Sequence, residues 1–359
     1  MTDTAHRVMI HPATYENCRT AVEKAFDLFC PDVSGKKVLV KPNVLRASEA
    51  HEGIVTHPAV MAAVIACLED RRPAEIVVGD NPGLFSYGAN AAAFEQTGLL
   101  AAAGGHYRNI GDESLEVPFD ERYGGRLMVS RAVMAADVVI SLPKFKTHGL
   151  TVMTGAIKNS YGILPGAQKA VLHRKAGAPE PFHDLIVDVF RLRVPDFFIV
   201  DAVVGMEGNG PASPELRTIG RILAGDNAVA LDAVMARMMG LDPARLRFLQ
   251  RAAALGLGSH DAADTTLVGE LTVIDDFKIP PLGGQAIQDN PAIQEFIHGR
   301  TLLRPKADPE KCTACGMCVD HCPVSALSMG DEIPEVAVDT CIACFCCQEL
   351  CPEKAMTLL

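Results

Sequence analysis

The sequence predicts an α/β body built on a mostly parallel sheet of the doubly wound type, followed by a small cysteine-rich α+β domain. Two observations predict this. Over most of the chain, short β-branched apolar runs alternate with longer helical patterns, as βα units require. Nine of the twelve cysteines then fall after Arg304, in a tail of 55 residues. A chain of 359 residues has room for about two such units.

The strands are expected at Lys37–Lys41, Glu75–Gly79, Asp137–Ser141, Phe197–Asp201 and Gly220–Ala224. Helices are expected at Glu16–Phe29, His57–Asp70, Phe182–Arg193, Ala228–Met239 and Pro243–Ala254. The last follows Asp242-Pro243, an N-cap residue with proline at the first helical position. The body then covers residues 1–275. Residues 276–304 carry Pro280-Pro281 and Gly283-Gly284 with few apolar repeats and read as a connector, and residues 305–359 form the tail.

Composition excludes several classes. With 48% apolar and 21% charged residues, wholesale disorder is ruled out. A net charge of −11 opposes general binding to nucleic acid or to an anionic membrane. No apolar run reaches the roughly 20 residues that span a bilayer. The first residues lack the hydrophobic stretch of a signal peptide, so a cytoplasmic location is expected.

The tail is a duplication. Cys312, Cys315, Cys318 and Cys322 recur as Cys341, Cys344, Cys347 and Cys351, each displaced by 29 residues, and Pro323 and Ala326 recur as Pro352 and Ala355. Each copy reads C-x2-C-x2-C-x3-C-P, the run of bacterial two-cluster ferredoxins, in which the fourth cysteine ligates the other cluster. Carried over residue by residue, one [4Fe–4S] cluster takes Cys312, Cys315, Cys318 and Cys351. The other takes Cys322, Cys341, Cys344 and Cys347. Three cysteines at two-residue intervals wrap one cluster, and the proline suits the first turn of the departing helix. A zinc ribbon also uses C-x2-C pairs, but the duplicated four-cysteine order exceeds what it needs. Cys346 stands outside the pattern and reads as a packed bystander or a spare ligand. Cys18, Cys30 and Cys67 read as buried small hydrophobes. The tail's nine acids against three lysines suit a basic redox partner protein, or simple solvation.

In the body, polar residues collect at the expected strand ends: Lys41-Pro42-Asn43, Asp80-Asn81-Pro82-Gly83, Pro143 to His148, Asp201 and Gly225-Asp226-Asn227. Ligands of open α/β sheets sit outside the carboxyl ends of the strands. From Ser141 to Pro179 there is no Asp or Glu, but there are Lys144, Lys146, Lys158, Lys169, Arg174, Lys175, His148 and His173. A cationic stretch in an acidic chain points to an anionic ligand, or to a face complementing the acidic tail. The expected site is one pocket of Lys41, Asn43, Asp80, Lys144, Lys146, His148, Lys158 and Asn159. No G-x-G-x-x-G follows the first strand, no phosphate-loop spacing occurs, and no C-x3-C-x2-C run is present.

These residues carry a resemblance. Lys41-Pro42-Asn43, Gly79-Asp80, Leu142 to His148, Ala156-Ile157-Lys158-Asn159, Gly208-Asn209-Gly210-Pro211 and Gly225 to Asp232 resemble landmarks of domain-of-unknown-function family 362. The likeness runs from Val38 to Gly258, and a fused two-cluster ferredoxin tail is a common arrangement in that family. It implies an iron–sulfur protein without an agreed reaction. The family fold is similar to that of nickel-dependent lactate racemases, which implies an alternative cofactor class by analogy alone. The expected function is a reductase. Electrons would pass from a redox partner through two [4Fe–4S] clusters to an anionic substrate, a flavin or another anionic small molecule in the body. The alternative is an electron carrier or cofactor-maturation factor without substrate chemistry of its own.

Overall fold

Fifteen strands order the described residues: β1 (His6–Pro12), β2 (Lys37–Pro42), β3 (Glu75–Val78), β4 (Ser114–Pro118), β5 (Arg126–Ser130), β6 (Val138–Leu142), β7 (Lys144–His148) and β8 (Val152–Thr154) come first. They are followed by β9 (Phe197–Met206), β10 (Leu216–Gly225), β11 (Thr265–Val268) and four tail strands. A computed structural model describes residues 5–82, 88–166, 168–176, 179–280, 304–342, 344 and 346–358. Gly83 and most of the expected connector lie outside these.

The main sheet runs β11-β1-β10-β9-β6-β2-β3, with β7 beside β9 and β8 beside β7. Strands β3, β2, β6 and β9 are mutually parallel, while β10 is antiparallel to both of its neighbours. This corrects the expected rim. Gly225 pairs with Phe198 at the start of β9, so Gly225-Asp226-Asn227 leaves at the opposite edge. An apolar pattern marks a strand without fixing its direction. Asn227 instead caps the Ala228–Met238 helix, accepting from the Val229 and Ala230 amides.

Residues of one strand divide between two cores. Leu39, Val139, Phe198 and Leu223 face one, and Val38, Val40, Ile140, Ile199 and Ile222 face the other. Helices Cys18–Phe29 and Pro58–Glu69 cover the second face. Helices Pro179–Phe190, Ala228–Met238 and Arg247–Ala254 cover the first. Burial on both faces explains why the central strands read as continuous apolar runs. Asp242 does cap, accepting from the Ala244 amide, but it starts a short 3-10 turn and the helix begins at Arg247. The expected connector also starts late: Phe277 packs into the body core, and Lys278 pairs with Glu215 at 2.6 Å.

Pro143 follows the third expected strand, and the polar residues beyond it form β7. There Lys144 aligns with Asp201 and Lys146 with Met206 of β9.

The tail repeats its structure as it repeats its sequence. β12 (Pro305–Ala307) and β13 (Leu327–Met329) recur 29 residues on as β14 (Pro334–Val336) and β15 (Met356–Leu358). Each copy's first strand pairs with the other copy's last, β12 with β15 and β14 with β13. Two short helices, Met317–Asp320 and Cys346–Leu350, carry cysteines. No helix among the described residues is long and apolar enough to cross a membrane.

Candidate functional site

A cleft opens at the carboxyl ends of β2 and β3, and one of its walls is the tail helix Cys346–Leu350. Its floor is an ion pair. Lys41, 1% exposed at the end of β2, meets Asp80 at 2.7 Å. Its ammonium also donates to Asn159 Oδ1 at 3.2 Å and to the Pro42 carbonyl at 3.1 Å. Asp80 accepts from the Val44 and Asn81 amides at 2.8 and 2.9 Å. Asn159, in turn, accepts from Asn43 Nδ2 and donates to Ser141 Oγ. Gly162 lies against this pair, and a Cβ there would collide with Asp80 Oδ1 and Lys41 Nζ.

A second device positions the other wall. The buried Asp232 carboxylate accepts from the Ala156 and Ile157 amides at 2.6 and 3.0 Å, opening the short turn that carries Lys158 and Asn159. Burial pushes Asp232 up to about 7 despite those two N–H bonds. Gly155 is required beside it, since a Cβ would strike the same carboxylate.

Lys158 lies over the rings of Tyr161 and Phe182, at 5.1 and 5.6 Å from their centroids. Among the described residues no carboxylate is within ion-pair distance of it. Burial pulls its ammonium below the usual range, with Glu349 opposing. Lys169 donates to the Asn81 carbonyl and is pulled down to about 7 by burial. His173 is 6% exposed, stacks on Phe182 at 4.2 Å, and leaves Nδ1 without a partner. Burial pulls it down to about 3, so the ring is neutral at pH 7.

The tail contributes Cys346, Glu349 and Leu350. Glu349 Oε1 is 3.1 Å from His148 Nε2. His148 Nδ1 accepts from the Leu150 and Thr151 amides at 3.1 and 3.3 Å, so the proton of the neutral ring sits on Nε2, the nitrogen beside Glu349. Burial, then Lys158, pull His148 down to about 4. Burial alone would raise Glu349, but His148 and Lys158 hold it well below the usual carboxylate range. The acid-free segment therefore meets the tail directly, and Arg174 also reaches the Pro323 carbonyl.

Of the eight expected residues, Lys41, Asn43, Asp80, Lys158 and Asn159 line this cleft. His148 borders it through Glu349. Lys144 and Lys146 do not line it, which corrects the expectation of one pocket. Lys144 pairs with buried Asp201 at 2.7 Å and donates to Tyr15. Lys146 donates to the Ile54 carbonyl at 2.7 Å and is pulled down to about 7 by burial. Both belong to β7, which turns them into the sheet's own interior. The eight omitted Tyr161, Lys169, His173, Cys346 and Glu349. The basic stretch signalled Lys169 and His173; nothing local signalled Glu349, which a tail–body contact delivers.

In the tail, Cys318 has Cys351, Cys315 and Cys312 as electrostatic neighbours, and Cys347 has Cys344, Cys341, Cys318 and Cys322. A hollow is bounded by Cys322, Cys341, Cys344 and Cys347. The Ala326 amide donates to Cys322 Sγ and the Ala355 amide to Cys351 Sγ, both at 3.2 Å. Such donors suit thiolates that carry negative charge. Among the described residues no three His, Cys, Asp or Glu side chains are grouped to hold a single ion; the sulfurs border a hollow instead. Cys346 is buried and lines the cleft. Cys18 and Cys67 are buried as expected, whereas Cys30 is half-exposed at its helix end.

The family model of a domain of unknown function (DUF362) matches residues 38–237. The chain belongs to the DUF362 family. A 4Fe-4S dicluster domain matches residues 304–352 of this DUF362 protein, which supports iron–sulfur cluster binding by its tail. The chain is 33% identical over 260 residues to the thylakoid-associated protein sll1697 of Synechocystis sp., covering 68% of this chain and 77% of that protein. It is 56% identical over 34 residues to one component of the Na(+)-translocating ferredoxin:NAD(+) oxidoreductase complex of Acetobacterium woodii, 10% of either chain. A crystal structure of a Thermotoga maritima protein aligns with TM-score 0.39 and 12% identity, over 69% of this DUF362 protein and 60% of that chain.

Proposed function

We propose that the protein is a reductase that carries electrons through two [4Fe–4S] clusters to an anionic small molecule bound in the cleft. The ligand sets are Cys312, Cys315, Cys318 and Cys351 for one cluster and Cys322, Cys341, Cys344 and Cys347 for the other. When bound, all-cysteine clusters supply single electrons at low potential. One observation carries the reading: the tail helix Cys346–Leu350, which holds Cys347 and leads into Cys351, is itself a wall of a cleft lined by lysines. The same short helix would thus hold a cluster ligand, Cys347, and line the cleft through Cys346, Glu349 and Leu350.

The chain's residues divide the remaining work. Lys158 and Lys169 attract the anion, each as a point charge. The Lys41–Asp80 pair and Asn159 fix the floor, and the unpartnered His173 Nδ1 offers a hydrogen bond to whatever enters. His148 holds a proton on Nε2 beside Glu349. Cys315 is exposed, which supports entry of electrons from a redox partner at the first cluster. A carrier role has its own support, because Glu349 and the Pro323 carbonyl already occupy part of the basic face.

The test uses full-length protein reconstituted without oxygen. It should hold about eight iron and eight sulfide per chain and should oxidise dithionite beyond the electrons its own clusters take up only when a candidate anion is added. Half that iron would remove the two-cluster assignment, and absence of any turnover across carboxylates and phosphates would leave the carrier reading.

A further inference from the structure

Arg46 is a buried charge with no ion-pair partner among the described residues. It lies on the loop after β2, is 3% exposed, and points at the tail. Its Nη1 donates to the Glu349 carbonyl at 2.9 Å, while Nε and Nη2 have no hydrogen-bond partner. Its charged neighbours are Glu52, Cys351 and Glu353. Glu52 is committed to Lys354 at 3.0 Å, and among the described residues neither carboxylate reaches ion-pair distance of Arg46. Taking a guanidinium out of water without an opposing charge in contact is unfavourable. Cys351, two residues beyond the Glu349 carbonyl that Arg46 bonds, is its second charged neighbour after Glu52.

We propose that Arg46 is a positioning residue of the body that raises the reduction potential of the cluster held by Cys312, Cys315, Cys318 and Cys351, while fastening the tail over the cleft. This rests on the two-cluster reading. A fixed positive charge beside a cluster stabilises the added electron, and cluster potentials respond to net charge, sulfur hydrogen bonds and burial. The guanidinium stays charged throughout, so no proton transfer enters the effect. The two unpartnered nitrogens of Arg46, Nε and Nη2, suit a polarisable sulfur acceptor, and the bond to Glu349 O fixes the fork against the end of the tail helix. The body thereby contributes to the potential of the first cluster.

The experiment is a redox titration of full-length, anaerobically reconstituted protein followed by electron paramagnetic resonance. The first cluster is identified as the one that Cys312→Ser disturbs. Arg46→Gln should lower the potential of that cluster and leave the other in place, and Arg46→Lys should restore most of the difference. Unchanged potentials in an iron-replete Arg46→Gln protein, or equal shifts in both clusters, would overturn the assignment. Should Arg46→Gln fail to load iron, Glu52→Gln decides. Removing that negative neighbour should raise the same cluster's potential, and no change there overturns the proposal. Failure of the two-cluster reading would appear earlier, in the wild-type iron content, and would take this assignment with it.

Discussion

Two buried lysine–aspartate pairs stand in the same sheet, with the same 2.7 Å separation, and their surroundings give them different uses. Lys144–Asp201 is closed on all sides. Tyr15 bonds both members, the His57 amide donates to Asp201, and the Tyr15 and His57 rings stack at 3.6 Å over the pair. Lys41–Asp80 is also saturated by its neighbours, yet it floors a cleft whose other walls carry Lys158, Lys169 and an unpartnered His173 nitrogen. Burial and pairing therefore do not mark a site. Uncommitted groups beside an open space do.

The largest effect separates the pairs by stability. Lys144→Ala leaves Asp201 buried without its partner, and removing one member of such a pair costs about 3–5 kcal/mol. Urea unfolding should show that loss, while whatever folded protein remains keeps its anion. Loss of anion retention at full stability would place Lys144 in the site and erase the distinction. Gly162→Ala acts on the other pair. The added methyl must displace Lys41 and Asp80, for about 1–3 kcal/mol of overpacking, and here anion retention should fall with stability. Lys158→Ala has no ion pair to break. It should leave the unfolding midpoint near wild type and weaken anion binding by about tenfold or more, the scale of one charged hydrogen bond, as measured by isothermal titration with the candidate anion.

The smallest effect is one of pH. Lys169 is pulled down to about 7, so it is charged below that pH and neutral above it. Anion affinity should decline a few-fold as pH rises from 6 to 8, and Lys169→Met should flatten the profile. Lys144 faces no ligand, so its substitution should leave that pH dependence in place.

The parts of the molecule differ in how far they can be read from the chain. The iron–sulfur character of the tail was legible because ligand spacing is local: a loop that wraps a cluster needs C-x2-C-x2-C within a few residues. Central strands were legible because burial on both faces leaves an unbroken apolar run, as in Lys37–Pro42. The direction of β10 was not, since period-two alternation is identical in both directions. The strand character of Lys144–His148 was hidden for a related reason. Its lysines look like a polar loop, yet all five residues are buried, and each ammonium is satisfied by a distant group, Asp201 or the Ile54 carbonyl. Half of the cleft was visible as strand-end Lys41, Asn43 and Asp80 and as the acid-free stretch. Glu349 and Arg46 were not, because each acquires its meaning from a contact between residues about 200 to 300 positions apart.

The most direct test of the anion-binding cleft is mass spectrometry of small molecules released from the full-length protein purified without oxygen, with Lys158→Ala prepared in parallel. The cleft predicts a small anion retained by the wild-type protein and lost from the variant, with iron content and cluster absorbance equal in the two. Equal retention by both proteins, or no anion in either, would contradict it.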